Sequence, residues 1–226
     1  MVNLNSKYDY PKLKRVDSNG QRLYDTGLAK VPSVTTILGR LKDMTGINKW
    51  RERVGKEEAQ RILTEAANLG TCTHKNIEQH LFGKERKSDG NLIHQIAYKL
   101  ADVVIEQGLT NIDEVWGCEV SLYSPELYAG TTDCVGVWNG KPAIIDFKTS
   151  RSKKKREWIE DYFLQCSAYA MAHNELFKTD IETIVIMMVT HDGVYLEFSV
   201  SGDDYRNHEK LWLDKLKEYY RVYDKY

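Results

Sequence analysis

The spacing of hydrophobic residues along the chain changes character twice. After an irregular or weakly stranded opening over residues 1–30, with turn composition at Ser18-Asn19-Gly20, Ser33 follows Pro32 and precedes Val34, Ile37 and Leu38. This is the pattern of a capped helix start. From Ile47 to Gly108 the period is helical. Ala59, Ile62, Leu63, Ala66, Ala67 and Gly70 form one stripe, which His74, Ile77 and Leu81 extend, and a second amphipathic helix covers residues 91–107. At Val115 the period shortens. Val115–Tyr123, Leu127–Trp138 and Ala143–Lys148 read as strands. Glu157–Phe177 returns to helix, Glu182–Thr190 and Val194–Val200 read as strands about His191-Asp192-Gly193, and Asp203–Tyr223 closes as a helix carrying Leu211, Leu213, Leu216 and Tyr219. The order predicts an α/β protein with a helical N-terminal region.

At 226 residues, 42% hydrophobic and 29% charged, the chain is long enough to bury a core without disulfide or metal staples. No Pro/Gly/Ser-rich linker divides it. The expected organisation is one compact domain: a stranded or irregular segment over 1–30, a helical region carrying His74 over 31–110, and a core over 111–226. A net charge of −1 excludes a global basic field, so binding of nucleic acid would need a local patch. No apolar run approaches the roughly 18 residues of a membrane span, and the start has neither signal-peptide nor transit-peptide character. Cys72, Cys118, Cys134 and Cys166 include no C-x2-C pair. Free thiols in an intracellular, cytoplasmic protein are therefore expected, without zinc knuckle or iron–sulfur cluster.

The stretch from Gly130 to Lys148 carries the most chemistry. A two-residue type I′ turn at Asn139-Gly140 pairs Trp138 with Lys141. Counting back along both strands sets Asp133 opposite Asp146, and Lys148, two residues on, points to the same face. Pro142 then falls opposite Val137, where its missing N–H does no harm. Two facing carboxylates repel and require a counterion. Lys148 is one candidate, in a structural ion-pair cluster; a divalent cation such as Mg²⁺ or Mn²⁺ is the other. Because Asp146 ends the buried run Ile144-Ile145, uncompensated charge there is expensive, which favours the metal.

His74 lies on the apolar stripe with Glu78 one turn later. Its two readings are a core histidine and a metal ligand. Glu119, on the strand before the hairpin, is either an ordinary strand residue or a group that orients water or Lys148. From Lys148 to Arg156 lie six Lys/Arg and no acid. Thr149, Ser150, Arg151, Lys153, Lys154, Lys155 and Arg156 form either a solvated loop or a phosphate-binding edge. Trp158 and Tyr162 follow as stacking or packing aromatics. Gln165 and Tyr169 share a helix face.

These residues resemble the PD-(D/E)XK nuclease superfamily, in its RecB-like exonuclease branch. Within that branch they are most similar to the mitochondrial genome maintenance exonucleases and their phage relatives. The matching pieces are Val31-Pro32-Ser33-Val34-Thr35-Thr36-Ile37-Leu38, Gly70-Thr71-Cys72-Thr73-His74 with Ile77-Glu78, Gly130-Thr131-Thr132-Asp133, Ile145-Asp146-Phe147-Lys148-Thr149-Ser150, and Gln165 with Tyr169. The resemblance implies a mixed central sheet flanked by helices, with the helical N-terminal region covering the site. It implies that His74, Asp133, Asp146 and the Phe147 carbonyl ligate one or two Mg²⁺ or Mn²⁺ ions, and that Lys148 supports the attacking water. Gln165 and Tyr169 would contact nucleic acid or brace the site. Asp146 stands where Glu is more widespread, and the cluster-binding cysteines of some relatives are missing. Without the transit peptide of the mitochondrial members, a phage or bacterial origin is expected.

The activity so implied is metal-dependent hydrolysis of DNA, single-stranded and from a free end, in replication, recombination or repair. A structure-selective endonuclease and a non-catalytic nucleic-acid-binding module are the alternatives.

Overall fold

Two tight reversals organise the centre of the molecule. In the computed structural model, which describes residues 3–18, 21–88 and 90–223, β5 (Ile112–Ser124), β6 (Tyr128–Trp138) and β7 (Lys141–Ser150) form a continuous antiparallel meander. Asn139 and Gly140 both take positive φ, 46° and 74°, as a type I′ turn demands. The ladder runs Trp138↔Lys141, Val137↔Pro142 and on to Cys134↔Ile145, the register expected from the sequence.

From β7 the chain crosses through α5 (Glu160–Phe177) to the parallel strand β8 (Thr183–Thr190), then turns back into β9 (Tyr195–Ser201) and α6 (Asp203–Tyr223). A two-residue strand, β1 (Asn3–Leu4), joins the far edge parallel to β5, giving the sheet order β1-β5-β6-β7-β8-β9. Every residue of β8 is buried, as expected for an inner strand covered on both faces. Alternate residues feed two cores. Ile144, Ile184, Ile186 and Met188 pack with α5, α6 and α1 (Val34–Leu41). Ile145, Phe147, Val185, Met187 and Val189 pack under α3 (Lys56–Leu81) and α4 (Leu92–Gln107). The result is a mixed sheet between two helical layers.

Ser33 caps α1 as expected, its Oγ accepting the Thr36 N–H at 3.0 Å. Residues 1–30 hold more order than the sequence suggests. β2 (Lys14–Ser18), β3 (Gln21–Asp25) and β4 (Lys30–Pro32) form a small antiparallel sheet, in which Tyr24 and Val31 pack on Ala129 of β6. The expected turn at Ser18-Asn19-Gly20 lies outside the described residues.

Two helical faces differ from expectation. In α3, Ala59 is buried as expected, but Leu63, Ala66 and Ala67 are exposed, and the buried line resumes through Leu69, Thr73, Asn76, Ile77 and Leu81. The N-terminal half of α3 and the short α2 (Thr45–Val54), which has no buried residue, are not packed against the sheet. Thr73 and Asn76 tolerate burial because each donates to a carbonyl one turn back, Leu69 O at 2.8 Å and Cys72 O at 2.9 Å. In α6, Leu211 and Leu213 face solvent, and the inner stripe is Tyr205, His208, Trp212, Leu216 and Tyr219.

At Gly136 the β5–β6 ladder steps out of register through a bulge between Val115 and Gly117. A Cβ at Gly136 would lie 2.0 Å from the Glu114 carbonyl oxygen. Among the described residues no helix is long and apolar enough to cross a membrane.

On the far side of the sheet His173 is fully buried between Tyr10, whose hydroxyl is 3.2 Å away, and Thr179, 2.8 Å away. Burial pushes its pKa down to about 4 from an ordinary 6.5. The unfolded chain therefore takes up this proton more readily, and stability falls as pH drops from 6.5 towards 4. The expected loss is at most roughly 3 kcal/mol. Urea midpoints across that range, compared between wild type and His173→Phe, should show the slope diminished in the variant.

Candidate active site

The sheet forks at the acids. Beyond Cys134↔Ile145, β6 leaves β7 and remains paired with β5 down to Tyr128↔Ser124, whereas β7 remains paired with β8 from Asp146↔Ile186 to Ser150↔Thr190. The rung that would join Asp133 to Asp146 is absent. In its place the Asp133 carboxylate reaches across and accepts the Phe147 N–H at 2.8 Å. The hairpin thus delivers both aspartates to the mouth of the fork, with a side-chain bond where a backbone bond would have closed it.

A third acid stands on the other side of Asp133. The β5–β6 register, Cys118↔Cys134 and Val120↔Thr132, sets Glu119 across from Asp133. Glu119 itself breaks the ladder, with φ at 53° in the left-handed region. Such a conformation is strained for a residue with a side chain, and strain of this kind concentrates at functional sites. Glu119, Asp133 and Asp146 therefore run in a row across three neighbouring strands.

α3 closes the front of this row. Gly70, His74 and Glu78, spaced four apart, lie along one helix face and line a cavity of about 740 Å³ with Glu119 and Asp133. His74 Nδ1 is 3.5 Å from Asp133 Oδ2. Ligand atoms of His74, Glu119 and Asp133 lie within 4.8 Å of one another, close enough to share one cation. Asp146 stands outside that trio: it is 2% exposed, and its Oδ2 is 2.5 Å from Lys148 Nζ. What Phe147 directs to Asp133 is its N–H. Glu119 is the residue whose place the sequence reading underrated, and the turn after Ser124 held the signal. Counting back from Ser124↔Tyr128, as was done for the second hairpin, sets Glu119 opposite Asp133.

α5 fills the fork from behind with residues at helical spacing. Lys148 Nζ lies 4.9 Å over the Tyr162 ring, and Gln165 Nε2 donates to Tyr169 Oη at 3.4 Å. The Tyr169 ring fits only because position 130 has no side chain, since a Cβ there would stand 2.7 Å from the ring. Gly130→Ala should therefore lose about 1–3 kcal/mol of stability. Gly46→Ala, whose methyl meets nothing within 4 Å, should show no loss; urea midpoints of the pair provide the measurement.

The electrostatics follow from crowding. Burial works against the charge of Lys148, but Asp146 and Asp133 outweigh it and hold its pKa above the ordinary lysine value. The two aspartates thus favour the charged form of Lys148. Burial likewise opposes the charge on His74, and Asp133 overrides it to raise the pKa. Asp133 is held low in spite of burial by His74, Lys148 and the Phe147 N–H. Asp146 is pushed up by burial, with Asp133 adding to the effect. Burial, followed by the charge of Asp133, lifts Glu119 to about 7. The acids exceed the cations available to them, and hard oxygen donors short of positive charge, beside one imidazole, suit a divalent ion.

No family model matches the chain. It is 27% identical over 207 residues to mitochondrial genome maintenance exonuclease 1 of Xenopus tropicalis, covering 84% of this chain and 57% of that protein. It is 27% identical over 203 residues to the Mus musculus protein of the same name, covering 84% of this chain and 59% of that one. A crystal structure of a Eubacterium rectale protein provisionally called an exonuclease superposes with a TM-score of 0.50 at 10% identity. That superposition covers 70% of this chain and 67% of the other, and shows the shared fold. The likeness to proteins named exonucleases, with a mixed sheet between helical layers, accords with the PD-(D/E)XK-like core expected from the sequence. The chain spans under three-fifths of the length of the curated relatives it matches.

The strand end after Lys148 is less uniformly free than its composition suggests. Thr149 Oγ1 lies 3.4 Å from where a Cβ on Gly70 would stand. Ser150 is buried and donates to Ser152 O at 2.7 Å. Arg151, Lys153 and Lys155 are exposed, and Lys154 is half-buried. Lys155 lies 5.7 Å over the exposed Trp158 ring. Arg156 is 2.6 Å from Asp204.

Proposed function

We propose that this chain is a divalent-metal-dependent deoxyribonuclease that hydrolyses phosphodiester bonds of single-stranded DNA from a free end. The observation that carries the reading is the row Glu119–Asp133–Asp146 at the fork of the sheet, faced by His74, with Asp146 paired to the half-buried Lys148. The relatives' names as exonucleases support it. In this reading His74, Asp133 and Glu119 would hold a Mg²⁺ or Mn²⁺ ion, with Asp146 and the Phe147 carbonyl beside it or serving a second ion. When bound, the ion supplies Lewis-acid activation of the phosphate and of the attacking water.

The side chains do the remainder. Lys148 is held protonated by Asp146, so it donates: it orients the attacking water and offsets charge that builds on the phosphate. It is not the base. Tyr162 and Tyr169 seal the back of the fork against bulk water, and Gln165 fixes the Tyr169 hydroxyl. Arg151, Lys153, Lys154 and Lys155, with the hydroxyl of Thr149, would bind phosphates along the strand; the pairing of Arg156 with Asp204 leaves it the lesser share. Residues 111–226 would form the nuclease core, residues 31–110 the cover that admits a single strand, and residues 1–30 a brace. An intracellular role in replication, recombination or repair fits the free thiols.

The test is a product ladder from linear single strands labelled at either end, run beside a circular single strand, with Mg²⁺ or Mn²⁺ and with chelator. Shortening of the linear strands, an intact circle and complete arrest by chelator are expected. A cut circle would replace the exonuclease with an endonuclease, and undiminished hydrolysis in chelator would remove the metal.

A further inference from the structure

Beside the acid cavity lies a second hollow that the proposed chemistry does not use. It measures about 540 Å³ and opens between α3 and α4. Its walls are aliphatic: Ile62, Ala66 and Leu69 on one side, Leu92, Ile93 and Ile96 on the other. Its sheet end is formed by Thr149, Arg151 and His191 at the carboxyl ends of the parallel strands β7 and β8, and Glu58, Arg61 and Glu65 of α3 also line it. Ligands of α/β sheets favour that end of parallel strands. The His191 N–H, bonded to Ser150 O at 2.8 Å, ties the two strand ends together.

Three features point to one kind of occupant. The hollow adjoins the acid cavity: Leu69 lines one, Gly70 the other, and Thr149 Oγ1, one residue after Lys148, lies 3.4 Å from where a Cβ on Gly70 would stand. Its size falls in the range of small-molecule sites, roughly 300–1,000 Å³. Its charges are also unequally engaged. Arg61 is clamped between Glu58 and Glu65 at 2.7 and 2.6 Å and offsets one of the two acids, whereas the exposed Arg151 has no ion pair among the described residues and helps hold the Glu58 pKa low from a distance. A slot with largely aliphatic walls and one unpaired guanidinium at its sheet end matches a flat, weakly polar ring joined to a phosphate.

We propose that this hollow receives one unpaired nucleotide of the substrate strand, its base between α3 and α4 and its phosphate on Arg151, next to the bond to be cut. This rests on the nuclease reading and deepens it. A base can enter the slot only after leaving its complementary strand and its own stack, at a cost of a few kcal/mol that a single strand does not bear in full. The slot is thus a discriminator against duplex, built from aliphatic walls in place of the aromatic platforms common in single-strand binders.

The test places 2-aminopurine, whose fluorescence rises when it leaves a base stack, at successive positions of a short single-stranded oligonucleotide. Binding is measured in chelator, where no hydrolysis is needed. Brightening is expected at one position only. Ala66→Trp, at an exposed site on the wall, should abolish it, and Arg151→Gln should weaken binding of the oligonucleotide roughly tenfold. No brightening at any position, or brightening that survives Ala66→Trp, overturns the slot. Hydrolysis of the same strand in Mg²⁺ or Mn²⁺ is scored separately. Hydrolysis without brightening rejects the slot and keeps the nuclease; brightening without hydrolysis does the reverse.

Discussion

Asp133→Asn is expected to leave the protein folded and to lower hydrolysis of single-stranded DNA on the order of 10³-fold. The fold should survive because the Phe147 N–H needs only an oxygen acceptor, which the asparagine carbonyl supplies at the same place. Losing the attraction to His74 is offset by relief of repulsion from Asp146 and Glu119, the charges that Asp133 pushes upward in pKa. The chemistry should not survive. Asp133 belongs to the trio that converges on one point, and a neutral amide is a poor ligand for a hard divalent ion. Melting temperature and initial rate, measured on the same preparation, decide the matter. A variant that melts like wild type and still cuts at a comparable rate would remove Asp133 from the reaction.

Lys148→Met is expected to fail in both respects. The lysine is the nearest counterion of an aspartate only 2% exposed. Removing one partner of a buried pair strands the other and typically costs about 3–5 kcal/mol. With the lysine gone, Asp146 folds best in its neutral form, so the variant should be more stable at pH 5 than at pH 8. Its folded pKa lies above the unfolded one, and stability is lost as pH rises through it. Adding Asp146→Asn should restore most of the stability and flatten that pH dependence, because no buried charge is left over. Activity should stay absent in the single and the double variant. Chemical denaturation at both pH values completes the cycle. A single mutant as stable as wild type at pH 8 would show that the ion pair does not hold the fork together.

Much of the centre was legible in the sequence because it is built from local rules. Asn139-Gly140 admits one turn type, the turn sets the register, and the register brings Asp133 and Asp146 to the fork. What no local rule supplies is that β6 and β7 part company there, since separation depends on each strand preferring its other neighbour. The face of α3 was misread for a related reason. Thr73 and Asn76 look polar in the sequence, yet each donates to a carbonyl of its own helix and can be buried. Leu63 looks apolar, yet it lies on the half of the helix that extends past the sheet. In α6 the leucines drew attention away from Trp212 and Tyr205, which bury more surface. The small sheet of β2, β3 and β4 escaped because its strands are short and carry mostly polar residues.

The bulge against β5 leaves no room for any side chain at Gly136, since a methyl would stand 2.0 Å from a carbonyl oxygen. That demand comes from architecture alone and is indifferent to whether the nearby acids still work. A descendant that has abandoned the proposed hydrolysis is free to drift at Asp133 and Lys148, but it must go on writing glycine three positions after the former. Position 136 therefore dates the inheritance of the scaffold, while 133 and 148 date that of the reaction.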